Sequence, residues 1–256
     1  MRRRKQGKLK LRKLAFKAKK GYYPIHKKST NIICGRDYSI KRYWMGDSIR
    51  QIKDEDVLFD IAKNHDDPSF RVLAVVNSNL KDDDKLLNIV NECKGYVLRT
   101  TATAKLRGEK NLIDLLENHY DWHVRREALR NPNLRDKKAF ENAVLNDDDY
   151  MVRREAVKHI ENQDLLVRLA RNDEDALVRI QALEKITNMD IIVFAAKNDS
   201  SWRVRQAAVD LIDDIEVLDE LLGLEKDAFI QDAIEERIES VIRQIILNKN
   251  RLNAMS

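Results

Sequence analysis

Glycine and proline are scarce in this sequence, with 7 and 3 in 256 residues. Sheets and barrels draw on both at their turns, so the scarcity argues against a β-rich fold and for helical arrays. Cysteine is rarer still. Cys34 and Cys93 lie far apart, and neither has a second ligand-type residue at the two-to-four spacing that zinc sites use. Neither a disulfide framework nor a metal centre is expected. No apolar run approaches the roughly 18 residues of a membrane helix. The start Met1-Arg2-Arg3-Arg4-Lys5 has the form of a signal n-region, yet lysines stud the segment where an apolar core should follow. The expectation is a soluble, cytoplasmic protein, although an acid-free, Arg-rich start also suits an organelle transit peptide. Gly-rich phosphate loops, nucleophile elbows and paired-cysteine motifs are missing too, so no cofactor and no catalytic residue is expected.

Charge is plentiful but unevenly placed. Residues 1 to 50 hold 17 Lys/Arg and 2 Asp/Glu, and the remainder holds 31 and 41, so an arm of +15 precedes a body of −10. With 43% hydrophobic residues, the chain can still bury a sizeable core.

That core follows a repeat. Asp121-Trp122-His123-Val124-Arg125-Arg126-Glu127-Ala128-Leu129 returns as Asp149-Tyr150-Met151-Val152-Arg153-Arg154-Glu155-Ala156-Val157. Further copies begin at Asp175 and Ser201, weaker ones at Asp67, Gly95 and Asp227, and another at Asp37; successive steps from Asp67 onward are 28, 26, 28, 26, 26 and 26 residues, after a first step of 30. Within a unit, Val152, Ala156, Val157 and Ile160 recur at helical spacing. After a polar break, so do Leu165, Leu166, Leu169 and Ala170. Each unit therefore reads as two short helices, the second closed by an Asn. Helices this short are unstable alone and bury their apolar faces only by stacking.

The Asp-aromatic-x-Val-Arg-x-x-Ala-Val/Leu unit resembles short HEAT-like repeats of prokaryotic type over residues 37 to about 245. Arg130-Asn131-Pro132-Asn133-Leu134 also resembles the leucine-rich repeat variant family, whose N-terminal cysteine cluster has no counterpart here beyond Cys34. The resemblance implies an all-α, right-handed α–α superhelix of about eight helix pairs, 26 to 30 residues each. It would occupy residues 37–256 behind an arm at 1–36 that is partly disordered or helical.

The recurrent Arg71, Arg99, Arg125, Arg153, Arg179 and Arg205 suit anions. Four of them follow an Asp by four residues, a spacing better suited to helix capping and ion pairing between units. Tyr96, Trp122, Tyr150 and Trp202 hold equivalent positions, which favours packing between units over stacking on a base. The second arginines Arg126 and Arg154 are not repeated in later units and are candidate partner contacts, together with Trp122 and Trp202. His119 and His123 stand four apart but straddle a helix junction, so they do not share a face as metal ligands would.

The arm carries 13 Lys/Arg and no acid in residues 1 to 30. Leu11, Leu14, Ala15 and Ala18 would let Lys8 to Lys20 fold as a basic amphipathic helix. Arg2, Arg3, Arg4, Lys5, Lys8, Lys10, Arg12, Lys13, Lys17, Lys19 and Lys20 are the candidate contacts to nucleic-acid phosphates, RNA or DNA. Asp147-Asp148-Asp149 and Asp213-Asp214-Ile215-Glu216 offer an internal counter-surface instead. Three functions are consistent with the sequence. The first is a non-enzymatic scaffold whose second helices bind a protein partner while the arm binds nucleic acid. The second is a pure protein-interaction scaffold with a self-docking tail. The third follows from resemblance to the HEAT-like DNA glycosylases that act on alkylated bases, in which Trp122 and Trp202 would handle the base.

Overall fold

A computed structural model describes residues 46–255, with side chains as far as Arg251. The arm, and with it the Asp37 copy of the repeat, lies outside the described residues. Within them the chain is all-α and has no strand. A helical turn at 46–50 precedes fourteen helices. In chain order these are α1 (Glu55–Asn64), α2 (Pro68–Val76), α3 (Asp83–Glu92), α4 (Tyr96–Thr103), α5 (Glu109–Asn118), α6 (Trp122–Arg130) and α7 (Lys137–Asn146). They continue as α8 (Tyr150–Val157), α9 (Gln163–Asn172), α10 (Ala176–Leu183), α11 (Met189–Asn198), α12 (Trp202–Val209), α13 (Ile215–Leu224) and α14 (Ala228–Met255). The helices form two compact units, one ending at Arg135 with α6 and the other beginning at Asp136 with α7.

Helix starts follow the expected chemistry. Asp67, Asp121, Asp149 and Asp175 open α2, α6, α8 and α10, each accepting the backbone N–H two residues ahead. Asp54, Asp82, Asp136, Asn162 and Asp214 cap α1, α3, α7, α9 and α13 in the same way. Gly95 stands where the other units place Asp or Ser. Its φ of 92° is a conformation L side chains rarely adopt, and α4 starts without a side-chain cap.

The phase of the pairing differs from the sequence reading. The tight pairs are not the first and second helix of one unit but the second helix and the first helix of the next: α1–α2, α3–α4 and α5–α6, then α7–α8, α9–α10, α11–α12 and α13–α14. A three-residue turn, such as 65–67 or 173–175, joins each of these pairs, whereas five or six residues separate one pair from the next. The shorter link holds the closer neighbours. Inside each unit, first helices pack in file (α2–α4–α6; α8–α10–α12–α14), and second helices pack more loosely. Val152, Ala156, Val157, Leu166, Leu169 and Ala170 are all buried, as their spacing implies. A fully buried Leu contributes about 1.5–3 kcal/mol.

The alternation of 28 and 26 residues has a local cause. The longer units end their first helix in Asn77-Ser78-Asn79-Leu80 or Asn131-Pro132-Asn133-Leu134. Asn77 donates to the carbonyls of Ile49 and Ile52, and Asn131 to those of Thr103 and Leu106. Two shorter units use a lysine at the same place. Lys105 reaches the carbonyls of Val75 and Asn77, and Lys185 those of Val157 and Lys158. In each case a side chain donates to carbonyls at or just past the end of the preceding first helix, where the i→i−4 ladder runs out.

The last copy departs from the pattern. A second helix was expected after Asp227, but α14 runs unbroken for 28 residues. Between Asp232 and Asn248 there is no Gly, Pro, Asn or Asp to cap or stop a helix.

Candidate partner-binding surfaces

The recurrent arginines are held inside the turns. Each lies four residues past a helix cap; Arg71 and Arg125 donate back to carbonyls at the end of the preceding helix and its turn, and Arg99, Arg153, Arg179 and Arg205 reach both back and forward to the next pair. Nη1 of Arg153 donates to the carbonyl of Asp147, while its Nε and Nη2 bind the carboxylate of Asp173 at 3.0 and 3.1 Å. Arg179 does the same with the carbonyl of Asp173 and the carboxylate of Asp199, and Arg205 with the carbonyl of Asp199 and Glu225. The forward acid also accepts the N–H of the residue at the next cap: Asp173 from Asp175, Asp199 from Ser201 and Glu225 from Asp227. Arg153 and Arg179 are buried, and hydrogen bonding to their aspartates holds both above their already high ordinary values. These side chains are committed to staples between pairs, which is the packing role the sequence favoured over phosphate contact.

The acid two residues before the cap was not picked out from sequence. Its column reads His65, Cys93, His119, Asp147, Asp173, Asp199 and Glu225, a mixed set whose histidine and acid members share one role only in space. Where histidine stands, Nδ1 accepts the cap N–H, as His65 does for Asp67 and His119 for Asp121. Arg99, facing a histidine, pairs with the capping Asp121 instead.

Around that exception lies a cluster of rings in the first unit. His123 stacks on Trp122 (3.7 Å between centroids) and on Tyr96 (4.5 Å), and the Arg126 guanidinium lies 4.9 Å over Trp122. Tyr96 and Tyr120 remain exposed, Trp122 half so. Burial works against ionised Asp121, but hydrogen bonds from His123 and Arg99 outweigh it and keep the carboxyl below its ordinary value. His119 is buried at the end of α5 while His123 sits in the first turn of α6, so the two are separated by the junction the sequence indicated. In the second unit Trp202 packs edge-on against Phe229 at 5.3 Å yet stays 43% exposed, and Arg154 is half-buried. The structure brings Trp122 and Arg126 together; Arg154 and Trp202 lie on separate helices, α8 and α12.

The clearest concave surface belongs to the second helices of this unit. Three clefts of about 370, 520 and 270 Å³ follow one another along α7, α9, α11 and α13. Asn172 lines the first and second, Asn198 the second and third, so the clefts adjoin. The amides of Asn172 and Asn198 each donate one turn back, to the carbonyls of Arg168 and Phe194 (2.9 Å), and the side chains are exposed. Leu145, Phe194 and Leu224 are exposed apolar walls, and Arg171 lies 5.3 Å over Phe194. Single exposed apolar residues mean little, but here they stand in file along adjoining clefts.

The acidic runs suggested as a dock for the arm are largely used locally. Asp147 and Asp149 accept backbone N–H groups at 2.9 and 2.8 Å, Asp214 caps α13, and Asp213 pairs with Arg237 at 2.6 Å. The arm residues Arg2 to Lys20 lie outside the described residues. Among those described, no helix is long and apolar enough to cross a membrane, and no group of three His, Cys, Asp or Glu is placed to hold a metal ion. Comparison of the chain with protein-family models, with curated proteins and with solved structures finds no match.

Proposed function

We propose that this chain is a non-enzymatic binding scaffold of HEAT-like repeats. Its adjoining second-helix clefts hold an extended segment of a protein partner, and its basic arm neutralises nucleic-acid phosphates without strong sequence preference. The observation that carries the first half is the file of three clefts joined through Asn172 and Asn198. Helices pack about 8–10 Å apart, and an extended chain advances about 3.3 Å per residue, so each cleft spans roughly three residues of such a segment. Exposed side-chain amides suit a backbone, which both donates and accepts. Phe194 and Leu224 offer apolar seats, and Arg168 and Arg171 favour acidic flanks. The second half rests on 13 cationic residues among the first 30 with no acid between them.

Two experiments test these halves. Selection from a library of random linear peptides should yield acidic sequences with an aliphatic or aromatic anchor. They should bind at least tenfold more weakly to an Arg168→Glu, Phe194→Asp variant and equally to a chain lacking residues 1 to 36. Peptides that bind both proteins alike would place the site elsewhere. For the arm, fluorescence anisotropy on single-stranded RNA and duplex DNA should show binding that requires residues 1 to 36 and weakens steeply with salt. Salt-insensitive binding, or binding by a chain beginning at Asp37, would remove that role.

A further inference from the structure

Beyond Val241, α14 leaves the body that supports it. Its first half is anchored: Ile230, Ile234 and Val241 are buried, and the helix packs on α12 and α13. From residue 242 to Arg251 every side chain is exposed. Ile242, Ile245, Ile246 and Leu247 are 41, 55, 53 and 59% exposed, the densest run of uncovered aliphatic side chains among the described residues. Ile238, Ile242, Ile245 and Ile246 follow i, i+4, i+7, i+8 spacing and so share one side of the helix. That side continues, slightly rotated, the stripe that covers the body.

The charges along the same helix divide in two. Residues 232 to 239 carry Asp232, Glu235, Glu236 and Glu239 against Arg237, a net of −3; residues 240 to 251 carry Arg243, Lys249 and Arg251 and no acid, a net of +3. Such a helix is self-complementary in one orientation. Laid antiparallel on a second copy about a two-fold axis between residues 243 and 244, Ile242 meets the partner's Ile245 and Ile245 the partner's Ile242, with Ile246 beside them at each end of the seam. The acidic half of each then lies along the basic half of the other. A parallel pairing sets like charge on like. A closed, isologous contact of this kind is the commonest route to a homodimer, and interdigitated aliphatic side chains with flanking charges are what fix orientation in paired helices.

We propose that residues 238 to 251 form an antiparallel helix pair with a second copy of this chain. The basic arm is a poorer occupant, since its lysines would meet Arg243, Lys249 and Arg251 beside the apolar face. A short two-helix contact falls at the small end of stable interfaces, so association is expected to depend on concentration in the micromolar range.

Sedimentation equilibrium of the full chain should show a monomer–dimer equilibrium between 30.0 kDa and twice that mass. Ile242→Asp with Ile245→Asp should leave only monomer, with an unchanged circular-dichroism spectrum because both side chains are exposed. Reversing the acidic half alone (Glu235→Lys, Glu236→Lys, Glu239→Lys) should weaken association at least tenfold. Reversing the basic half as well (Arg243→Glu, Lys249→Glu, Arg251→Glu) should restore it. A chain that stays monomeric at every concentration overturns the proposal, as does a dimer indifferent to the isoleucine substitutions or a double reversal that fails to rescue. Monomer that binds anionic lipid vesicles through these isoleucines would assign the face to a membrane surface and likewise overturn it.

Discussion

Asp199 serves two neighbours at once, accepting from the N–H of Ser201 and from Nε and Nη2 of Arg179 at 2.8–2.9 Å. Side chains of both partners are about nine-tenths buried. Removing one member of a buried pair strands the other, so Asp199→Ala is expected to cost about 3–5 kcal/mol in urea unfolding, far more than loss of a surface pair. Exposed Lys137–Glu161 is the internal control. His119 is the odd member of the same column. Its Nδ1 accepts the N–H of Asp121, which only an unprotonated nitrogen can do, and burial pushes the imidazole below its ordinary value near 6.5, with Asp121 and Arg99 as the charged neighbours. The folded form therefore resists a proton that the unfolded chain accepts. Stability from this site is intact above about pH 6.5 and is lost as pH falls through that value. Between about pH 7.5 and 5.5 the wild type should lose more stability than His119→Asp, which restores the carboxylate found in the later turns.

At the scale of elements, the ties between pairs outlast any one helix. Asn131 is buried and donates to the carbonyls of Thr103 and Leu106 at 2.9 and 3.0 Å. Asn131→Ala leaves both carbonyls without that donor and is expected to destabilise the first unit by about 1–3 kcal/mol, read from its thermal unfolding. Much of this level was legible beforehand. The helices, the Asp caps, the closing Asn residues and the buried stripe all follow from spacing, because each is a local property of a short stretch. The pairing phase was not legible, since a period has no origin and both groupings fit it. Nor was the column running from His65 to Glu225, whose histidine, aspartate and glutamate members act alike only because each turn presents them to the same N–H. The candidate surface was half visible. Second helices were expected to line it, but the union of three clefts through Asn172 and Asn198 depends on their stacking.

At the scale of the molecule, each compact unit is a short stack in which an interior pair is covered on both sides by its neighbours within the unit. Opening such a pair breaks both contacts, so its free energy of opening should be high. Amide exchange is therefore expected to be slowest in α4 of the first unit and α10 of the second, and, in chain dilute enough to be monomeric, fastest from residue 242 to Arg251 of α14, where every side chain is exposed. Equal protection along α14 would show that its far half is held as firmly as its near half.

The arginine staples carry a last consequence, for how such a chain changes length. Every junction in the second unit uses the same lock: an arginine past one cap and an acid before the next. Excising residues 173 to 198, one 26-residue period, would bring Asp199 to the place Asp173 holds and offer it to Arg153. The shortened protein would inherit a matched junction without a compensating mutation, whereas loss of half a period would leave a buried arginine with nothing to meet. Gain or loss of a whole period in the second unit should therefore preserve every staple, and loss of part of one should not.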